Sequence, residues 1–152
     1  MTWIKLCSIV FLSLNLMFTG CKSQPNEEVY VSDFYNIHEE YKDGWGNVGK
    51  YDISLPYIHC DSKSAKKLNQ TIKNEYKDLI DSLDEAKEEG YTLPYTKVSY
   101  DVYTHSNLLS LVIKEEVETE YPGYKVYHFD SKTKKCISNK KLYKKYKISQ
   151  KD

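Results

Sequence analysis

The feature that most constrains this fold is a long run of apolar residues at helical spacing, which we call the stripe. Segments in which apolar and polar residues alternate lie on both sides of it. Its apolar side chains recur every three or four positions, with lysines, asparagines and acids between them. The stripe consists of Ala65, Leu68, Ile72, Tyr76, Leu79, Ile80, Leu83 and Ala86. Asp61 or Ser62 is suited to cap its start, and Gly90 is suited to end it. The pattern predicts one long amphipathic helix with its apolar stripe against a sheet.

Alternating residues on both sides of this stripe predict antiparallel strands. Before it, residues 51–57 alternate clearly, while residues 29–41 fit either a strand or a strand followed by a helical turn. A turn rich in Gly and Asp joins these two segments into a hairpin. After it, residues 95–105, 108–117 and 124–130 predict a three-stranded meander. We therefore expect an α+β fold: one antiparallel sheet, made of the N-terminal hairpin and the meander, covered on one face by the single helix.

The composition indicates one globular domain, which we place at residues 29–148. Hydrophobic residues make up 40% and charged residues 29% of the chain, so wholesale disorder is excluded. The formal net charge of +0 argues against nucleic acid as a partner. The 15 tyrosines favour a sheet packed with Tyr, and a surface on which ligands stack is the second interpretation. Asn139 is suited to cap a last short helix.

The N-terminal segment resembles the export signal of bacterial lipoproteins. Lys5 precedes a nearly continuous apolar run over residues 9–18, which is too short for a permanent membrane span. Small residues then lead to Cys21. The resemblance implies that residues 1–20 are removed, that Cys21 carries the lipid, and that residues 21–28 tether the domain to an extracytoplasmic membrane surface. A plain secretory peptide and an uncleaved anchor are the alternatives.

Two further cysteines, Cys60 and Cys136, fall within the predicted domain. An even pair of cysteines in an exported protein predicts a disulfide, because such bonds persist outside the cytoplasm. The alternative is that both are buried as small apolar residues. We expect no metal site and no cofactor, since neither a C-x-x-C spacing nor a histidine cluster accompanies them.

Four short motifs carry a resemblance to a known extracytoplasmic family. They are Tyr51-Asp52-Ile53-Ser54-Leu55-Pro56, Leu68-Asn69-x-x-Ile72, Leu108-Leu109-Ser110-Leu111 and Tyr127-His128-Phe129-Asp130-Ser131-Lys132-Thr133. Together they are similar to a domain of unknown function found in PdaC-type peptidoglycan deacetylases and in RsiV-type lysozyme-sensing anti-sigma factors. The resemblance covers roughly residues 48–146.

Two positions depart from that family. Residues 118–123 replace its Gly-Gly-Ala-His-Gly stretch, and Lys134 stands where the family has Gly. The sequence also shows no deacetylase catalytic domain after these motifs. The resemblance therefore implies an accessory or recognition domain of the cell envelope, without catalysis of its own.

The histidines offer little support for an enzyme. His59 and Cys60 are neighbours, so on a strand their side chains point to opposite faces. His128 and Asp130 share a face but lie about 6.6 Å apart along a strand, which is beyond hydrogen-bond reach. A small envelope hydrolase with an unrecognised active site is our alternative hypothesis.

The favoured hypothesis is a lipid-anchored module that binds a protein, such as a lysozyme-like one, or a peptidoglycan glycan. The long helix covers only one face of the sheet, so the other face is free for binding. We expect the binding face to include side chains of the first meander strand and of the acidic stretch after the second. They are Lys97, Tyr103, His105, Glu116, Glu118 and Glu120.

Overall fold

The strands lie side by side in sequence order. The computed structural model describes residues 28–118 and 120–146. Six strands form one sheet: β1 (Tyr30–Lys42), β2 (Val48–His59), β3 (Thr96–His105), β4 (Leu108–Val117), β5 (Gly123–Asp130) and β6 (Lys135–Ile137). Three helices accompany them: α1 (Lys63–Glu75), α2 (Lys77–Glu89) and α3 (Asn139–Tyr146).

The sheet is mixed, so the prediction of a wholly antiparallel sheet is wrong. β1 and β2 form the antiparallel hairpin, and β3, β4 and β5 form the meander, to which β6 is added. β2 and β3 run parallel, however, from Tyr51 opposite Thr96 to Ile53 opposite Val98. The helical connection causes this, because it returns the chain to the end of the sheet at which β2 begins.

The single long helix is also wrong, because the chain breaks at Tyr76. This residue has φ −105° and ψ 3°, outside the helical range, and separates α1 from α2. Its side chain is buried, and its hydroxyl donates a hydrogen bond to the Glu115 carboxylate on β4. Lys125 Nζ lies 4.5 Å from the centre of its ring. Since no Gly or Pro occurs in this segment, the contact with the sheet is what marks the break.

The core lies between the two helices and one face of the sheet. The sheet side chains in it come mainly from β2 and β4, and the helix side chains come from the predicted stripe. All of the following are less than a tenth exposed: Tyr51, Ile53, Leu55, Leu109, Leu111, Ile113, Phe129, Leu68, Ile72 and Leu83. Burying each such side chain contributes about 1.5–3 kcal/mol. The opposite face of the sheet, which we call the open face, is free of α1 and α2.

The proposed export signal, Cys21 and the tether as far as residue 27 lie outside the described residues. Within residues 28–118 and 120–146, no helix is both long and apolar enough to cross a membrane.

Candidate binding surface

One half of the open face carries a row of acidic and basic side chains that runs across four strands. His38, Asp52, Lys97 and Glu116 stand opposite one another on β1, β2, β3 and β4. The Asp52 carboxylate contacts the side chains on both sides of it. Its Oδ1 lies 2.5 Å from His38 Nδ1, and its Oδ2 lies 3.6 Å from Lys97 Nζ. Glu116 forms an ion pair with Lys114, and this hydrogen bond keeps the pKa of the Glu116 carboxyl below its usual range. Lys97 and Glu116 are therefore already paired within the sheet.

The other half of the open face carries exposed aromatic and branched side chains. Tyr103 is 60% exposed, Tyr124 is 62% exposed and Val126 is 42% exposed. Val112 stands directly opposite Val126 in the β4–β5 ladder. We call these four residues the Tyr/Val patch. Exposed apolar groups that share one sheet face and are rimmed by polar residues are typical of a binding surface.

The structure divides the predicted binding residues between the two ends of β3. Lys97 and Glu116 are directly opposite each other, and Glu118 and Glu120 follow in the adjoining turn. Tyr103 lies six residues further along β3, about 20 Å away at the rise of a strand. His105 lies beyond it, at the far end of β3. The six residues therefore do not form one site.

The acidic residues between Glu115 and Glu120 are less available for binding a ligand than the sequence implies. Glu115 projects toward the helices, where it accepts hydrogen bonds from the Tyr76 hydroxyl and from Lys125 Nζ, the latter at 2.6 Å. Burial alone would raise the pKa of the Glu115 carboxyl, but these two hydrogen bonds hold it below its usual range. Glu118 and Glu120 remain exposed.

A serine and a histidine meet beside the Tyr/Val patch. Ser110 on β4 and His128 on β5 are register partners, and Ser110 Oγ lies 2.9 Å from His128 Nδ1. Burial lowers the pKa of the His128 imidazole, which favours its neutral form. His128 also lines a cleft of about 200 Å³ together with Ile137 and Asn139.

This pair was missed in the sequence because its residues are 18 positions apart and belong to different strands. The alternation of Leu109 and Leu111 around Ser110 does place the serine on the open face. The register between β4 and β5 then brings it to His128, and short-range patterns do not give that register.

The other histidine considered above, His59, packs among aromatic rings. It stacks on Tyr30 with 4.2 Å between ring centres and meets Tyr57 edge-on at 4.9 Å. Its Nε2 lies 2.7 Å from Ser32 Oγ. Tyr30, Tyr57 and His59 border a cleft of about 350 Å³, which Cys60 also lines. The contacts of His59 are thus with Tyr30, Tyr57 and Ser32.

The disulfide predicted between Cys60 and Cys136 is absent from the structure, in which both are free thiols. Cys60 is half-buried after β2. Cys136 is exposed on β6, and its Sγ lies 3.6 Å from the carbonyl oxygen of Ser64 in the first turn of α1. Its backbone N–H donates to Ser64 Oγ at 3.1 Å. Cys136 is therefore held against the start of α1.

Comparison with known proteins adds no family to this description. No family model matches the chain, and no curated protein is similar to it in sequence. Across residues 28–118 and 120–146, the histidine, cysteine and acidic side chains form no group of three that could hold a metal ion.

Proposed function

We propose that this protein is a lipid-anchored, non-catalytic binding module of the cell envelope. Its ligand would be a peptidoglycan glycan, bound on the open face. The observation that carries the proposal is the Tyr/Val patch, where Tyr103 and Tyr124 are more than half exposed on the same face of the sheet. The resemblance to an envelope domain and the export signal support the same location.

The patch has the chemistry that sugar rings require. Tyrosine offers a flat apolar ring with a polar hydroxyl, so it stacks on a sugar face and still contacts water. Ser110 and His128 continue the row of Tyr103 across β4 and β5, and they supply hydrogen-bonding groups for sugar hydroxyls. A cationic, lysozyme-like protein is less well matched, because Glu115 and Glu116 are paired with lysines.

The binding experiment uses the full-length chain and insoluble peptidoglycan. We expect Tyr124→Ala and Tyr103→Ala each to weaken binding about tenfold, which corresponds to roughly 1.4 kcal/mol. Tyr121→Ala is the matched control, since Tyr121 is 98% exposed but lies in the turn after β4. Equal binding by all three variants would contradict the proposed surface. Capture of lysozyme but not of peptidoglycan would assign the surface to a protein ligand.

The proposed anchor is tested separately from the ligand. If Cys21 carries lipid, its acyl chains contribute about 0.8 kcal/mol per buried CH₂ group, enough for stable attachment. We expect the wild-type chain to enter the detergent phase in a phase-separation assay. The Cys21→Ala variant should move to the aqueous phase. Equal partitioning of the two chains would show that Cys21 is not the anchor.

The Ser110–His128 pair favours a second candidate, a small envelope hydrolase. A neutral His128 would accept the Ser110 proton through Nδ1 as Ser110 Oγ attacks an acyl carbonyl. Turnover of a wall-derived ester that is lost in both Ser110→Ala and His128→Ala, with peptidoglycan binding unchanged, would favour this candidate. No turnover by the wild-type chain would leave the binding module as the function.

A further inference from the structure

Strand β3 has an edge that no other strand of the described chain covers. β2 pairs with β3 only as far as Ile53 opposite Val98. Beyond this point the Asn69 side chain on α1 bonds both the N–H and the carbonyl of Ile58, each at 2.9 Å, so β2 is held by the helix. Residues 101–105 of β3 are all exposed, on both faces of the sheet.

The outer edges of the sheet carry features that discourage pairing, whereas this inner edge does not. β1 has a register shift between Asp33 and Tyr35, and its second half carries charged residues. β6 is only three residues long and pairs with residues 128–130 of β5; the remaining part of that edge, residues 123–127, contains Gly123 and Lys125 and is partly buried. Bulges, charges and short length are the usual protection against pairing with another chain. Segment 101–105 contains Val102, Tyr103 and Thr104 in a row, which are residues that favour strands.

We propose that segment 101–105 pairs antiparallel with the same segment of a second copy of this chain. A twofold axis beside Tyr103 places the two Tyr103 side chains opposite each other. Asp101 of each copy then faces His105 of the other, and Val102 faces Thr104. The result is a symmetric dimer in which the two sheets share an edge.

The match between Asp101 and His105 selects this register. An axis one residue earlier, beside Val102, would place Asp101 opposite Tyr103 and His105 opposite Ser99, so the carboxylate and the imidazole would not meet. With the axis beside Tyr103, the His105 imidazole can donate a hydrogen bond to the Asp101 carboxylate, and every match occurs twice. Each single substitution therefore changes two contacts in the dimer.

A charge exchange tests the register. The full-length chain in detergent is studied by analytical ultracentrifugation at several protein concentrations, and we expect the wild type to form a dimer. Asp101→Lys places Lys opposite His105, and His105→Asp places Asp opposite Asp101, so each should weaken dimerisation about tenfold. The double variant again pairs Lys with Asp and should recover the wild-type dimer. A monomeric wild type, or a double variant as weak as the single ones, would overturn the proposal.

Cross-linking tests the position of the axis. Tyr103→Cys is introduced into the full-length chain together with Cys60→Ser and Cys136→Ser, and membranes are treated with a mild oxidant. We expect a cross-linked dimer, because the two residues at position 103 are direct neighbours across the axis. Tyr124→Cys in the same background is the control, since Tyr124 is equally exposed two strands away. Equal cross-linking at both positions, or a bond from position 103 to a different protein, would overturn it.

Discussion

Glu115 connects three separate elements through one carboxylate. It lies on β4, accepts hydrogen bonds from Tyr76 at the helix break and from Lys125 on β5, and replaces an apolar residue in the inward set of its strand. Burial and the hydrogen bond to Glu115 both raise the pKa of the Tyr76 hydroxyl, so this group stays protonated. The sequence shows Glu115 only as part of an acidic stretch, because its partners are distant along the chain.

We expect Glu115→Gln to lower the free energy of unfolding by about 1–3 kcal/mol at pH 7, since hydrogen bonds to a charged group are lost. The folded-state pKa of Glu115 is lowered, so its contribution is present above its unfolded pKa near 4.5 and is lost as pH falls through the folded-state pKa. Denaturant titrations between pH 3 and pH 7 should therefore show a flatter acid limb for the variant. Glu118→Gln, at an exposed turn position, should change the free energy by less than about 0.5 kcal/mol. An acid limb unchanged in Glu115→Gln would contradict this role.

At the scale of elements, one side chain occupies the place of a neighbouring strand beside the end of β2. Asn69 is buried on α1, and its amide makes the two hydrogen bonds that a neighbouring strand would otherwise provide to Ile58. By sequence, Asn69 belongs with the polar residues between the apolar positions, whereas the structure buries it. The open β3 edge lies beside this arrangement, because no strand among the described residues pairs with Ile58 on the side that Asn69 occupies.

We expect Asn69→Leu to destabilise the protein by about 2–4 kcal/mol, because two buried backbone groups lose their partners. The midpoint of urea unfolding measures this change. Lys67→Leu is the matched control: Lys67 is exposed on the same helix and gains the same side chain, so its midpoint should stay near that of the wild type. If both variants unfold at the same urea concentration, the Asn69 hydrogen bonds do not stabilise the protein.

Over the whole molecule, the sequence predicts local elements well and their assembly poorly. The hairpin, the meander strands and the helix beginning near Asn139 follow from periodicity and turn residues that act over a few positions. The parallel junction at Ile53, the break at Tyr76 and the addition of β6 depend on contacts between distant residues. The candidate site behaves in the same way: the exposure of Tyr103 follows from alternation, whereas its neighbours follow from the register.

The state of Cys60 and Cys136, free or joined in a disulfide, can be tested by alkylation. We expect alkylation of the denatured chain without reductant to modify both Cys60 and Cys136, because neither is bonded in the structure. Under native conditions Cys136 should react first, since it is exposed while Cys60 is half-buried. Mass spectrometry of the digested protein gives both results. A linked pair of peptides, lighter by two hydrogens, would restore the disulfide predicted from the sequence.

The length and position of β1 have a mechanical consequence. β1 is the first strand after the proposed tether, and it pairs with β2 from Tyr30 to Lys42. A pull on the proposed anchor along the axis of β1, opposed by a ligand held on the open face, would load the hydrogen bonds between β1 and β2 in shear. In this geometry the bonds resist together, whereas in peeling they break one after another. With the proposed anchor and ligand, the domain would then remain folded under tension between a membrane and the cell wall.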